Sequence, residues 1–303
     1  MSTKRILITG CTGLLGETLI RKSPRNISWI GVDVRQSPIC NELSKFINVD
    51  ITDCDSLDEK LVEEDFDGIV HLAGFIHIDQ NTPSNVDQLF DVNTKGTLNV
   101  IKLMEKRNKA LFVYASSMTV YGLPVENPVE ESHPLNPNSF YGLTKLMGEQ
   151  IVKLYSTQKS LSTAILRFPG LFGENKEKGA IYHFCDNAAS GKPIKINTQG
   201  LGYWSCLHYE DAADAIMTVC MDPPFPGLPA VYNVTDGEEW DLLRVAGIVA
   251  NEAQDEVDVE VDTPPDFKRC RLSGENLKSR YPSLQFNTSD RIIRMARFFQ
   301  NKK

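Results

Sequence analysis

Residues 6–20 read ILITGCTGLLGETLI: an apolar strand, a turn punctuated by Gly10, Gly13 and Gly16, and an apolar helical pattern. A strand that enters a helix through glycines aims backbone N–H groups and the helix N-terminus at one point, which stabilises a pyrophosphate there. The spacing is Gly-x-x-Gly-x-x-Gly, not the Gly-x-Gly-x-x-Gly of the dehydrogenase fingerprint, and a bare strand-to-helix turn also uses glycines. The strand before it and the apolar helix after it favour a dinucleotide cradle made by Gly10, Thr12, Gly13, Leu14, Leu15 and Gly16.

On either side of this stretch, short β-rich runs alternate with helical patterns. Strands are expected at 4–9, 27–33, 45–49, 68–73, 110–117 and 162–168, and helices at 14–22, 56–64, 86–106 and 141–157. The runs ILIT, GIVHLA and LFVYA are apolar without alternation, as strands buried on both faces are. This order predicts an α/β fold, a Rossmann-type doubly wound parallel sheet with a smaller C-terminal substrate-binding portion. Past Arg167, Gly and Pro break the pattern. The expected domains are 1–168 for cofactor binding, with 206–235 returning to it, and 169–303 mainly for substrate. In the later part, 210–221 and 242–251 read as helices, AVYNV as a strand, and EAQDEVDVEVD as an exposed strand with alternating valines.

Asp33 ends the second strand, about 20 residues past the glycines, where a carboxylate accepts bonds from ribose hydroxyls and repels a 2′-phosphate. That favours NAD over NADP. Asp50, followed by Ile51, reads equally as an adenine contact or as a cap or turn aspartate. Leu72, Ala73 and Gly74 follow the fourth strand and let the backbone lie close to a cofactor.

The chain has 303 residues, 41% hydrophobic and 24% charged, enough for one large core or two unequal ones. No apolar run approaches the ~20 residues of a membrane span, and residues 1–5 do not read as a signal peptide. Seven scattered cysteines read as reduced thiols of a cytoplasmic protein. A net charge of -8 without a basic aromatic stripe argues against nucleic acid. The five histidines form no metal-ligand spacing, so no metal is expected and each reads as structural. The basic C-terminal stretch DRIIRMARFFQNKK reads as a surface helix packing one face.

YASSMTVYG and then YGLTK place Ser117, Tyr141 and Lys145 downstream of the cradle. A phenol with a pKa near 10 is a poor base unless its anion is stabilised. Lys145, four residues after Tyr141, shares its helix face, where an ammonium lowers the phenol pKa and bonds a nicotinamide ribose. Ser117 is placed to hydrogen-bond a substrate oxygen. A second Tyr-x-x-x-Lys, Tyr155 and Lys159, lies about 21 Å further along the helix and reads as a solvated face.

TGCTGLLG, Asp33, NVDITD, HLAG, DVNTKGTLNV, YASSMTVYG, YGLTK and LRFPGLFG together resemble the extended short-chain dehydrogenase/reductase family, in its nucleotide-sugar epimerase and dehydratase branch. The resemblance covers nearly the whole chain. It implies Ser117, Tyr141 and Lys145 as the catalytic group, with Asn93, Ala115, Ser116 and Phe168 added to the cofactor site. It implies Met118, Thr119, Gly170 and Lys192 beside Ser117 and Tyr141 on the substrate side, and a homodimer built on helices 86–106 and 141–157. The dehydratases' Asp-Glu pair is replaced by Met118 and Thr119, which disfavours elimination. An asparagine and an arginine that hold a diphosphate in similar proteins are replaced by Gly170 and Trp204, with Lys192, Arg269 or Arg271 as substitutes. The implied activity is NAD-dependent 4-epimerisation of a nucleoside-diphosphate sugar. The alternatives are a reductase of a 4-keto sugar or other carbonyl, and a non-catalytic dinucleotide-binding protein.

Overall fold

A computed structural model describes residues 3–76, 83–105, 111–196, 203–261 and 270–302, with 83, 84, 203 and 204 described by their backbone only. In chain order the elements are β1 (Lys4–Thr9), α1 (Leu14–Lys22), β2 (Ile27–Asp33), β3 (Lys45–Asn48), α2 (Cys54–Leu61), β4 (Gly68–His71), α3 (Pro83–Phe90), α4 (Thr97–Glu105), β5 (Leu111–Ser117), α5 (Phe140–Lys159) and β6 (Ser162–Phe168). There follow β7 (Gly170–Phe172), α6 (Ala180–Ala189), β8 (Ile194–Ile196), β9 (Tyr203–Trp204), β10 (Cys206–His208), α7 (Tyr209–Met221) and β11 (Ala230–Asn233). The chain then forms β12 (Trp240–Asp241), α8 (Leu242–Asn251), β13 (Val259–Val261), α9 (Glu275–Arg280) and α10 (Thr288–Asn301).

Two compact units result. One comprises residues 1–123, 134–167 and 213–232, and the other 124–133, 168–212 and 233–303. The first holds a seven-stranded sheet in the order β11-β6-β5-β4-β1-β2-β3, with β3, β2, β1, β4 and β5 pairing parallel. β1 lies between β2 and β4, so the strand order reverses beside it, and the crevice past the strand C-termini at such a reversal is where ligands bind. Leu7, Ile30, Ile69, Phe112 and Ile165 line the sheet core, packed by Val100, Met104 and Val152 from α4 and α5. This is the doubly wound α/β class that the strand–helix alternation predicts.

Helical periodicity predicts one continuous helix over 86–106. The structure breaks it with a π-helical turn, Asp91–Gly96, between α3 and α4. Such a turn is common at functional sites because the extra residue re-aims side chains. Here it carries Asn93 inward, and Gly96 lets the turn approach the loop after β3: a Cβ there would lie 2.6 Å from Ile51 Cδ1.

The second unit has its own core, in which Ile181, Phe184 and Ala188 of α6 meet Val245 and Val249 of α8 and Met295 and Phe299 of α10. α10 confirms the amphipathic pattern of the basic C-terminal stretch, with Ile292, Met295, Ala296 and Phe299 buried. Only 259–261 of the acidic stretch pairs as a strand, with β8, and it is exposed.

Candidate active site

β1 delivers the chain to Gly10, whose φ of +71° and whose approach to Ala73, 2.7 Å from an ideal Cβ, both require glycine. A Cβ on Gly16 would meet Gly10 O at 2.4 Å, so α1 packs close behind the turn. Gly13 is the N-cap of α1 and no side chain caps it, so its first N–H groups keep room for an anion. Thr12 Oγ1 is buried without a partner among the described residues. Leu14 and Leu15 open α1, partly buried. An unoccupied polar atom beside a side-chain-free cradle fits a pyrophosphate.

The other expected cofactor residues lie at the same strand ends. Asp33 Oδ2 accepts Thr12 N–H at 3.1 Å and Oδ1 accepts Arg35 N–H at 3.1 Å, which fixes the carboxylate beside the cradle with a further lone pair on each oxygen. Asp50 is exposed and its Oδ1 accepts Thr52 N–H at 2.8 Å, a turn contact; the cap of α2 is Asp53. Ile51 is buried and its carbonyl accepts from Asn99. Leu72 N–H and Ala73 N–H donate to Thr9 O (3.1 Å) and Thr9 Oγ1 (3.2 Å). An ideal Cβ on Gly74 would lie 3.3 Å from Asn93 Oδ1 and 3.8 Å from Lys145 Nζ, so this loop reaches α5. Asn93 Oδ1 accepts Phe75 N–H at 2.7 Å, and its Nδ2 donates to Phe75 O (3.0 Å) and Thr144 Oγ1 (3.1 Å). Ala115 is partly buried on β5; Ser116 donates its hydroxyl to Glu149 Oε1 at 2.6 Å. Phe168 is buried at the end of β6.

Ser117 ends β5 and caps a 3-10 turn, Met118–Tyr121, with both Met118 and Thr119 partly buried. Ser117 Oγ accepts from Thr119 N–H (3.3 Å) and from the Thr119 hydroxyl (3.0 Å), so its own proton is left for Tyr141, with which it is hydrogen-bonded. α5 starts cleanly because Ser139 Oγ accepts Gly142 N–H at 3.1 Å. Burial drives the Tyr141 phenol up to about 12, against the hydrogen bond from Ser117. The spacing predicts that Lys145 lowers this phenol. In the structure the hydrogen bond with Ser117 pulls the phenol down against burial, and the Lys145 ammonium sits 4.6 Å over the Tyr114 ring. Burial lowers Lys145 to about 8, and Glu149 works against that fall.

The second Tyr-x-x-x-Lys stands apart, with exposed Lys159 paired to Glu105 at 3.4 Å. Gly170 and Lys192 lie in the second unit. Gly170 N–H donates to Ser205 O at 3.3 Å, and Lys192 is exposed on the turn after α6. Trp204 lies in β9, paired antiparallel with β12; its side chain, and Arg269 and His77, fall outside the described residues. Also in the second unit is an open pocket of ≈ 110 Å³ lined by Gly170, Phe172, Lys176, Lys178, Tyr182 and Met295, among others. Spacing did not single out Lys176 and Lys178. Nor did it single out Glu149 and Arg167, a buried ion pair behind Ser117; an arginine inside the apolar run STAILRF is the signal that marks it.

A glycine cradle, a strand-end carboxylate and a Ser-Tyr-Lys group on one sheet edge define a dinucleotide-dependent enzyme of the extended short-chain dehydrogenase/reductase class. The chain belongs to the NAD dependent epimerase/dehydratase family, which it matches over residues 6–235. It is 36% identical over 256 residues to a Methanocaldococcus jannaschii protein provisionally named UDP-glucose 4-epimerase, covering 82% of each chain. It is 30% identical to the N-acetyl-alpha-D-glucosaminyl-diphospho-ditrans,octacis-undecaprenol 4-epimerase of Escherichia coli O157:H7, over 70% of this chain and 61% of that one. Its fold matches that of the UDP-N-acetylglucosamine 4-epimerase of Methanobrevibacter ruminantium M1, with a TM-score of 0.83, 21% identity and 100% of both chains covered.

Proposed function

We propose that the protein is an NAD-dependent epimerase that inverts C4 of a nucleoside-diphosphate sugar through a transient 4-keto sugar. Bound NAD supplies the acceptor, and then the donor, of hydride at that carbon. Gly10, Thr12, Gly13 and the N-terminus of α1 would hold its pyrophosphate, Asp33 a ribose, and Lys145 the other ribose. Tyr141 takes the proton of the 4-hydroxyl and returns one after the keto sugar has turned over. Ser117 donates to the phenolate or to the substrate oxygen, and Thr119 keeps the Ser117 proton pointed that way. A phenol raised to about 12 is a strong base once ionised, which suits the weakly acidic hydroxyl of a sugar.

The observation that carries this reading is the Ser117–Tyr141 hydrogen bond beside buried Lys145, with no carboxylate at 118 or 119 to expel water. A homodimer is supported by Phe140, Leu143, Met147 and Leu154, 37–59% exposed along one face of α5. Seven free thiols, five of them buried, support the reducing cytoplasm as the compartment.

The test is a panel of UDP-glucose, UDP-N-acetylglucosamine and UDP-glucuronate followed by NMR, with NADH monitored. One sugar converts to its 4-epimer without net NADH, and Tyr141→Phe lowers kcat about a thousandfold while NAD affinity stays within about threefold. Net consumption of NAD(P)H would mark a reductase. Undiminished turnover in Tyr141→Phe would remove the catalytic assignment.

A further inference from the structure

Directly behind the catalytic group lies a buried ion pair that no step of the proposed reaction uses. Glu149 follows Lys145 by one helical turn and Tyr141 by two, and its side chain is 0% exposed; Arg167, on β6, is 1% exposed. Arg167 donates from Nε to Glu149 Oε1 at 2.9 Å and from Nη2 to Oε2 at 2.8 Å, a bidentate pairing. Its Nη1 donates to the Tyr121 hydroxyl at 2.8 Å. Ser116, the neighbour of Ser117, completes Oε1 at 2.6 Å, and Lys153 approaches Oε2 at 3.5 Å.

Two charges removed from water contribute little net stability, and apolar replacement of both partners is often neutral or stabilising. Position is where this pair differs from such a replacement. It ties the end of β5 (Ser116), the 3-10 turn (Tyr121), α5 (Glu149) and β6 (Arg167) at one point. Three of those elements carry Ser117, Thr119, Tyr141 and Lys145. Burial alone raises the Glu149 carboxyl, but the bonds and charge of Arg167 outweigh it and hold the group below the usual carboxylate range. Glu149 therefore stays an anion one turn from Lys145. The other titratable groups facing Lys145 are Tyr141 on α5, Tyr114 on β5 and His71 on β4; those facing Glu149 are Lys145, Lys153, Arg167 and Tyr114.

We propose that Glu149 and Arg167 are positioning residues of the catalytic group: the pair fixes the end of β5 against α5, so that Ser117 meets Tyr141, and sets a carboxylate one helical turn from Lys145. The proposal rests on the epimerase reading for its kinetic consequence but not for its electrostatic one. Loss of the carboxylate lowers the Lys145 midpoint, so the alkaline limb of the kcat profile moves to lower pH.

The experiment compares full-length wild type with the double variant Glu149→Met/Arg167→Met. It follows the Lys145 Cε shift against pH in ¹³C-lysine-labelled protein, thermal unfolding, and kcat and KM. The double variant is expected to fold and to lower the Lys145 midpoint, with kcat at pH 8 down at least about tenfold and KM within about threefold. A folded double variant with the wild-type kcat, or, should wild type turn over no sugar, with the wild-type Lys145 midpoint, overturns the proposal. If the double variant does not fold, Ser116→Ala decides: it cuts the tie to β5 and leaves the ion pair intact. A fall in kcat of about threefold or more with the unfolding temperature held supports the proposal, and an unchanged kcat overturns it. The lysine titration needs no sugar, so a wild type inactive on every sugar defeats the epimerase reading while this proposal is still decided.

Discussion

Buried between Thr9 and Thr97, His71 has one proton placement that satisfies its neighbours. Thr97 Oγ1 donates to Asn93 O at 2.7 Å, so it accepts from His71 Nε2–H at 3.0 Å. Nδ1 is then an acceptor for the Thr9 hydroxyl at 2.6 Å, and Thr9 Oγ1 accepts Ala73 N–H. Burial, helped by the Lys145 charge, drives the imidazole down to about 3. Between the unfolded pKa of about 6.5 and this value the unfolded chain binds a proton that the folded chain does not. Folded-state stability is therefore full above pH ~6.5 and falls by up to about 1.4 kcal/mol per pH unit as the pH drops toward 3. Urea titrations at pH 7, 6 and 5 should show His71→Gln less stable at pH 7 but with a shallower loss toward pH 5. A loss as steep as in wild type would show that His71 is not responsible. The histidine is legible in GIVHLA as a buried residue, but its bridging of β1, the loop at 72–74 and the Asn93 turn is not, because both threonine partners are distant in sequence.

At the scale of elements, α5 is the best-specified part of the site. Its periodicity, its serine cap and the Tyr141–Lys145 spacing are all visible in the sequence, and the structure adds how closely it lies on β5. An ideal Cβ on Gly148 would come within 2.1 Å of Tyr114 Oη, so glycine here sets the helix-to-sheet distance and with it the height of Lys145 above the Tyr114 ring. Gly148→Ala should destabilise by about 1–3 kcal/mol, the usual cost of overpacking, and lower kcat more than it raises KM. Chemical denaturation and steady-state kinetics check both, and wild-type values for both would mean the helix moves freely. The π-helical turn between α3 and α4 was beyond reach of periodicity, since one inserted residue leaves apolar positions in register on either side. Likewise Glu149 resembles a surface charge until the fold places it against Arg167, whose seat in an apolar run is the pair's one mark in the sequence.

For the whole molecule, the parallel sheet and the strand-end residues follow from the order of β-rich and helical runs, because each buried strand is short, apolar and followed by a helix, whereas the strand order that sets the switch point does not show in the run order. The later part is less legible: its two- and three-residue strands β7, β9, β10 and β12 are too short to show a period. The exposed stripe Phe140, Leu143, Met147 and Leu154 predicts association of two copies through α5. Sedimentation equilibrium should find a dimer for wild type and a monomer for Met147→Glu; a monomeric wild type would contradict the assignment of this face. The chemistry is decided most directly by the fate of hydrogen at C4. With UDP-glucose deuterated at C4, a transient 4-keto sugar enclosed with its cofactor predicts a 4-epimer that keeps the deuterium at C4. A 4-epimer carrying solvent hydrogen there, or no epimer from any sugar of the panel, would contradict the account.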